Sequence, residues 1–308
     1  MTDNAAQHRR FLVVVNKGSG TVRSLGEEAV RAAIETGFSG AGTVDIRFVD
    51  GEALVPTIAK AREADSPDAV IVGGGDGSLA SAAAMLIGSP IALGVLPLGT
   101  MNMVVKSAGI STTLGEAIRQ AATGQVRSVD VGQVNGQVFL HQVSFGLQPR
   151  VLRIREKIGY RSRITKMLSG AVALAAVMAR PRVLRLSGKV DGQPVNLTLP
   201  AFAVSNNVYR DDRPSIPARL DGGELGVYMI SARQVRDYVR MVLAALRGTW
   251  KDDAMVEARH ASHVRVEPRR RKTGGRLLAS VDGELVYLSA PVDITIAPQA
   301  LQLIMPPP

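Results

Sequence analysis

The stretch Ala69-Val70-Ile71-Val72-Gly73-Gly74-Gly75-Asp76-Gly77-Ser78 decides how this chain is read. Its first four residues form a short apolar run that reads as a buried strand. The glycines follow as a loop, and Ser78–Ile87 as a small-residue helix. Glycines let a backbone approach a phosphate and expose its N–H groups, and the start of a helix adds partial positive charge. The loop is not a Walker A sequence, because no Gly-Lys-Ser/Thr follows, and it lacks the third glycine of the dinucleotide fingerprint. Asp76 would repel a bare phosphate, so its place in the loop makes sense if it holds Mg²⁺ or orients groups that do. Taken alone, the same residues also fit a glycine-rich left-handed turn with an Asx cap.

Outward from this loop, strand and helix signals alternate. Phe11–Val15 and Ile91–Val95 are apolar runs of strand length, and Val44–Val49 reads as another strand. Ser24-x-x-Glu27 reads as a capping box opening a helix to about Glu35, and Glu52–Ala64 and Leu114–Ala122 as further helices. This alternation predicts an α/β domain with a parallel sheet and helices on both faces. Two more loops, Asn16-Lys17-Gly18-Ser19-Gly20 and Pro97-Leu98-Gly99-Thr100-Met101-Asn102, follow strands of that sheet. All three loops would then leave its carboxyl edge, where ligands bind. Together they describe a nucleotide site better than any one of them does.

The texture changes near Ser128. Alternating runs take over: Ser128–Val134 and Val138–Val143 joined by Asn135-Gly136, then Val183–Val190, Val195–Ser205, Gly226–Ile230, His263–Val266, Leu277–Val281 and Val292–Ala297. They predict an antiparallel, β-rich, sandwich-like second domain. Helices are expected over 162–179 and 234–247. The domain division is placed at 1–126 and 127–298, with 299–308 returning to the first.

Composition narrows the chemistry. The 308 residues include no cysteine and four histidines, which excludes thiolate nucleophiles and cysteine zinc sites and leaves metal work to carboxylates, suiting Mg²⁺. His141 and Ser144 lie close in sequence without a nucleophile elbow, so no hydrolase is read from them. The net charge of +10 favours an anionic partner. Few aromatics and no reader motif argue against nucleic acid. The basic residues crowd 147–190, and Arg161, Arg163 and Lys166 stand at the start of the expected helix over 162–179. Its apolar row Ile164, Met167, Leu168, Ala171, Leu174, Ala175 and Met178 reads either as core or as a face for an anionic membrane surface. The first apolar run is too short for a signal peptide, and Met167–Met178 falls short of the ~20 residues of a span. A soluble, cytoplasmic protein is expected, with peripheral contact at the inner face of the membrane.

Three segments in the first half, Asn16-x-x-Ser19-Gly20, Gly74-Gly75-Asp76-Gly77-Ser78 and Leu96-Pro97-Leu98-Gly99-Thr100-x-Asn102, resemble the diacylglycerol kinase catalytic-domain family. That group includes bacterial lipid kinases and the sphingosine and ceramide kinases. The likeness continues through Ser205-Asn206-Asn207, the Pro217–Leu225 loop, Val281-Asp282-Gly283-Glu284 and Pro298-Gln299-Ala300-Leu301, in family order. It implies ATP and Mg²⁺ as cofactors, with a lipid alcohol such as diacylglycerol or a sphingoid-type lipid as acceptor, presented from the second domain. Asn16, Ser19, Gly20, Gly74, Gly75, Asp76, Gly77, Ser78, Gly99, Thr100 and Asn102 would bind the nucleotide. Asp282 would be the general base, Glu284 its neighbour, Asp76 would serve the nucleotide and metal, and Asp221 would sit in a structural Mg²⁺ loop. Met103 and Gly226 stand where many members carry an acid. Family members often form homodimers. Alone, Asp282-Gly283-Glu284 reads rather as an ordinary hairpin turn between Leu277–Val281 and Leu285–Leu288. An NAD kinase-like phosphotransferase, or a non-catalytic lipid- or nucleotide-binding protein of the same fold, are the alternative functions.

Overall fold

The computed structural model describes residues 9–64, 67–158, 177, 182–232, 234–269 and 275–307. The chain forms two compact units, Met1–Val129 with Gln299–Pro308, and Asp130–Pro298.

The strands of the first unit are β1 (Arg9–Asn16), β2 (Gly42–Val49), β3 (Ala69–Gly74) and β4 (Ala92–Pro97), with the end of β16 (Val292–Met305). They lie in the order β2-β1-β3-β4-β16 and pair in parallel, Phe11 standing between Val44 and Ala69. Helices α1 (Gly20–Leu25), α2 (Glu27–Gly37), α3 (Leu54–Ala64), α4 (Asp76–Leu86), α5 (Met103–Ser107) and α6 (Leu114–Thr123) surround it. One sheet face packs Phe11, Val13 and Ile71 against Val30, Ile34 and Phe38 of α2 and Ile118 of α6. On the other, α3 packs on β1 and α4 on β3. Burial on both faces explains why β1, β3 and β4 carry continuous apolar runs, whereas β2, at the sheet edge, carries Asp45 and Arg47 and is only partly buried.

The helix expected to open at a Ser24–Glu27 capping box is instead two helices. Gly26 adopts φ 89°, a left-handed-side value that breaks the first and begins the second. The Ser24 hydroxyl donates to the Thr21 carbonyl at 3.0 Å, so it caps nothing. Glu27 and Glu28 then occupy the first turn of α2, where the helix dipole favours acids.

In the second unit one antiparallel sheet has the order β12-β11-β10-β7-β14-β15. These strands are Val256–Ala261, Leu225–Ile230, Ala201–Asn206, Gln142–Gly146, Arg276–Val281 and Glu284–Ser289 respectively. A second layer pairs the start of β16 with β13 (His263–Pro268), β13 with β8 (Leu184–Val190) and β8 with β9 (Gln193–Leu199), all antiparallel. Phe145, Phe202, Val204, Val227 and Ala279 from one layer meet Leu186, Val264, Val266 and Ile294 from the other. The unit is therefore sandwich-like. Strands β5 (Gln125–Val134) and β6 (Gln137–Phe139) form a hairpin whose turn residues Asn135 and Gly136 take φ 48° and 81°, the backbone a two-residue turn requires.

Two helices flank this sandwich. One, α7 (Leu147–Ile158), lies within the basic run; the other is α8 (Val235–Leu246). The strand expected over 138–143 is split into β6 and β7. The helix expected over 162–179, apart from Val177, with Arg161, Arg163 and Lys166, lies outside the described residues. Among the described residues no helix is long and apolar enough to cross a membrane.

Candidate functional site

In the first unit, the loops after β1, β3 and β4 are stitched side to side. Asn16 anchors the first: its Oδ1 accepts the Gly18 N–H at 2.8 Å and its Nδ2 donates to Ser78 Oγ at 3.2 Å, at the head of α4. The Thr21 N–H donates to the Leu98 carbonyl at 3.4 Å, tying the first loop to the third. The second and third loops touch through glycines. A Cβ on Gly99 would lie 2.5 Å from the Gly75 Cα, and one on Gly74 would lie 2.6 Å from the Ser78 Cβ. Only residues without a side chain allow this approach.

Asp76 closes the arrangement. It is the first residue of α4, 8% exposed, and its Oδ1 accepts the Val104 N–H at 3.1 Å at the start of α5. Burial raises its carboxyl above the ordinary value, while the amides of Val104, Met103 and Asn102 pull the other way. The carboxylate is thus turned toward backbone amides and holds the third loop in place. Asn102 caps α5 from a left-handed conformation (φ 50°, ψ 46°), which asparagine tolerates. Two oxygens here, Ser19 Oγ and Asn102 Oδ1, are buried without a hydrogen-bond partner. Buried polar atoms are nearly always satisfied, so these two mark where a polar ligand fits. Thr100 is exposed on the same loop.

In the second unit, Asp282 and Gly283 form the two-residue turn between β14 and β15, at φ 48° and 91°. The hairpin reading is locally right, yet the carboxylate does more than decorate a turn. Its Oδ2 accepts the Leu140 N–H at 2.7 Å, and its Oδ1 accepts those of His141 and Gln142, each at 2.9 Å. This capture is what splits the expected strand: amides that would have joined a ladder go to Asp282 instead. Three charge-assisted hydrogen bonds fix the carboxylate's orientation. Glu284 begins β15 on the exposed side of the same turn.

Around this turn lies a network that local pattern did not reveal. Gln142 Nε2 donates to Gln148 Oε1 and the Tyr209 hydroxyl donates to Gln142 Oε1, both at 2.8 Å. Tyr209 stacks on Tyr228 with ring centroids 4.9 Å apart. Burial lowers His141 to about 4, so it is neutral at physiological pH. The unfolded chain takes up that proton first as pH falls below about 6.5, so the histidine's contribution is complete above that value and is lost toward pH 4. Urea unfolding at pH 7 and 4.5 is expected to show about 2–3 kcal/mol more acid destabilisation in the wild type than in His141→Gln.

Asp221 does not gather a metal cluster. Its Oδ1 accepts from Arg219 Nε at 2.7 Å on the surface. Its loop is held instead by Gly222 N–H on Asn207 Oδ1 (3.0 Å) and Gly223 N–H on Asp130 Oδ2 (2.6 Å). Gly226 has no room for an acid, since a Cβ there would lie 2.5 Å from Tyr228 Oη and 2.6 Å from Ser205 Oγ. Among the described residues, no three histidine or carboxylate side chains come together to hold a metal.

Residues 10–134 match the family model of the diacylglycerol kinase catalytic domain, and residues 141–305 that of the YegS C-terminal NAD kinase beta sandwich-like domain. Diacylglycerol kinase of Bacillus subtilis (strain 168) is 25% identical over 236 residues, covering 72% of this chain and 75% of that protein. Proteins named "Probable lipid kinase YegS-like" from Citrobacter koseri and Klebsiella pneumoniae (strain 342) are 39% and 36% identical, over 27% and 34% of this chain. Those two matches span about a third of the relatives' own length, 30% and 33%. The fold matches a crystal structure of a diacylglycerol kinase from Bacillus anthracis str. Sterne, with a TM-score of 0.68 at 16% identity over 98% of both chains. Another crystal structure from that organism gives 0.78 at 18% identity, over 100% of this chain and 99% of the other.

Proposed function

The chain belongs to the diacylglycerol kinase catalytic domain family, and from that premise we propose that it transfers the γ-phosphoryl group of ATP to the hydroxyl of a lipid alcohol, diacylglycerol or a sphingoid-type lipid. The observation that carries this reading is the trio of loops joined at one sheet edge, with two orphaned buried oxygens and no space for side chains at Gly74 and Gly99. Asn16, Ser19, Gly20, Gly74, Gly75, Gly77, Ser78, Gly99, Thr100 and Asn102 would hold the phosphates, and Asp76 would hold the Asn102 loop against them. Mg²⁺ would arrive with the nucleotide as part of the substrate and neutralise charge on its phosphate oxygens.

The acceptor oxygen attacks the γ-phosphorus, the bond to the β–γ bridging oxygen breaks, and ADP leaves with that electron pair. The hydroxyl proton passes to the Asp282 carboxylate, with Glu284 beside it. Such a transfer depends on positioning more than on covalent help, and three amides on Asp282 provide positioning. We place the enzyme in the cytoplasm at the inner face of the membrane, where such acceptors lie.

Incubation with γ-labelled ATP, Mg²⁺ and either mixed micelles of lipid alcohols or NAD tests the reading. Label is expected in a lipid. A second reading, an NAD kinase-like phosphotransferase, draws on the sandwich match over residues 141–305. Label appearing in NAD would establish that one. Transfer to no acceptor would leave a binding protein of the same fold.

A further inference from the structure

Helix α8 turns an apolar face to solvent. Val235, Val239, Val242, Leu243 and Leu246 are 56%, 53%, 59%, 45% and 80% exposed, five of the ten large apolar side chains most exposed among the described residues. Their spacing is helical: at about 100° per residue they cover an arc of roughly 100°. Arg236, Arg240 and Arg247 fall in the adjoining arc of roughly 40° by the same geometry. The inward face is already occupied, because Ala245 packs on the cluster of Tyr209, Tyr228 and Trp250.

The helix is firmly built. Gln234 N–H donates to Asp237 Oδ2 at 2.9 Å at its start, and Thr249 N–H donates to the Ala244 carbonyl at 2.9 Å past its end. Arg240 pairs with buried Asp253 at 3.0 Å, which pins one side of α8 to the following turn. The apolar row therefore faces outward by construction.

We propose that α8 is an interfacial helix that docks the protein on anionic lipid bilayers. Its valines and leucines enter the boundary between headgroups and acyl chains, and the exposed Arg236 and Arg247 beside them face lipid phosphates. A second copy fits this face less well, because apposing two such helices antiparallel brings arginines to the same seam, whereas an anionic bilayer supplies the opposite charge. The proposal rests on the helix surface alone, so it and the kinase reading can fail separately.

Flotation of the full chain with vesicles tests it, using phosphatidylcholine alone or with about one third phosphatidylglycerol. Wild type is expected to bind the anionic vesicles at least about tenfold better at low salt, and to lose that preference near 0.5 M salt. Val239→Asp with Leu246→Asp should abolish binding to both, while Arg236→Glu with Arg247→Glu should abolish the preference for anionic lipid. Both pairs alter exposed positions and should melt as wild type does. The aspartate pair should also keep wild-type transfer to a short-chain acceptor in detergent micelles. Equal wild-type binding to the two vesicles, or flotation of the aspartate pair like wild type, overturns the proposal. So does a wild-type dimer that the aspartate pair converts to monomer without any vesicle binding, which would make this face a contact between copies. Flotation as expected with no transfer to any acceptor would remove the kinase reading and leave this one standing.

Discussion

Asp282→Asn is expected to lower phosphoryl transfer by about 10²–10⁴-fold while nucleotide binding to the first unit stays close to wild type. The substitution keeps the turn, since asparagine also accepts the left-handed conformation at φ 48°. It does not keep the hydrogen bonds. The amide oxygen can still accept from His141 and Gln142, but the new NH₂ then faces the Leu140 N–H, donor against donor. One buried amide left unsatisfied costs about 1–3 kcal/mol. Lost activity must therefore be separated from lost fold, by measuring melting temperature and nucleotide affinity on the same preparation. Asp191→Asn is the matching control. Asp191 also sits before glycine in a hairpin turn and accepts the Ser262 and His263 amides at 3.0 and 2.9 Å. It should cost some stability and leave transfer unchanged. Wild-type turnover in Asp282→Asn would remove the base assignment.

That control also shows where local sequence stops being informative. Asp191-Gly192 and Asp282-Gly283 are equivalent as dipeptides, and both make the same turn. What distinguishes Asp282 is a set of amides about 140 residues away, at Leu140, His141 and Gln142, and no local pattern announces such a partner. The split of the strand expected over 138–143 has the same non-local cause. The first unit was far more legible. Continuous apolar runs such as Phe11–Val15 are too short for helices and alternate with helical segments, which makes them strands buried on both faces with their following loops at one edge. Gly26, two residues beyond Ser24, outweighed the capping-box pattern by offering a positive φ. The short helix α5 carries no local signal, because its cap, Asn102, is left-handed and the Asp76 carboxylate that supports it comes from another loop. Helix α7 was masked by its charges, although Leu147, Val151, Ile154 and Ile158 carry the helical period.

Gly99→Ala is expected to weaken nucleotide binding by at least about tenfold, equivalent to 1.4 kcal/mol, measured by calorimetric titration of ATP or ADP with Mg²⁺. Gly99 does not need a positive φ, so the backbone tolerates alanine and the effect is one of space alone. The added Cβ meets the Gly75 Cα at 2.5 Å and Asn102 Oδ1 at 2.8 Å. The first of these is backbone and cannot rotate away, so the second and third loops must part by a few tenths of an ångström or more. That movement acts on two things at once. It shifts the amides after β3 relative to the Asn102 loop, and it strains the grip of Asp76 on the α5 amides. A site whose donors must converge on one phosphate group loses affinity steeply when they diverge. Gly115→Ala supplies the contrast: it lies in α6, no atom stands within 4 Å of its added Cβ, and alanine favours a helix over glycine by about 1 kcal/mol. It should be as stable as wild type or more so and bind nucleotide unchanged. If Gly99→Ala binds nucleotide as wild type does, the contact between the two glycine loops is not what forms the phosphate site, and the cradle must lie between the first and second loops, at Asn16 and Ser78.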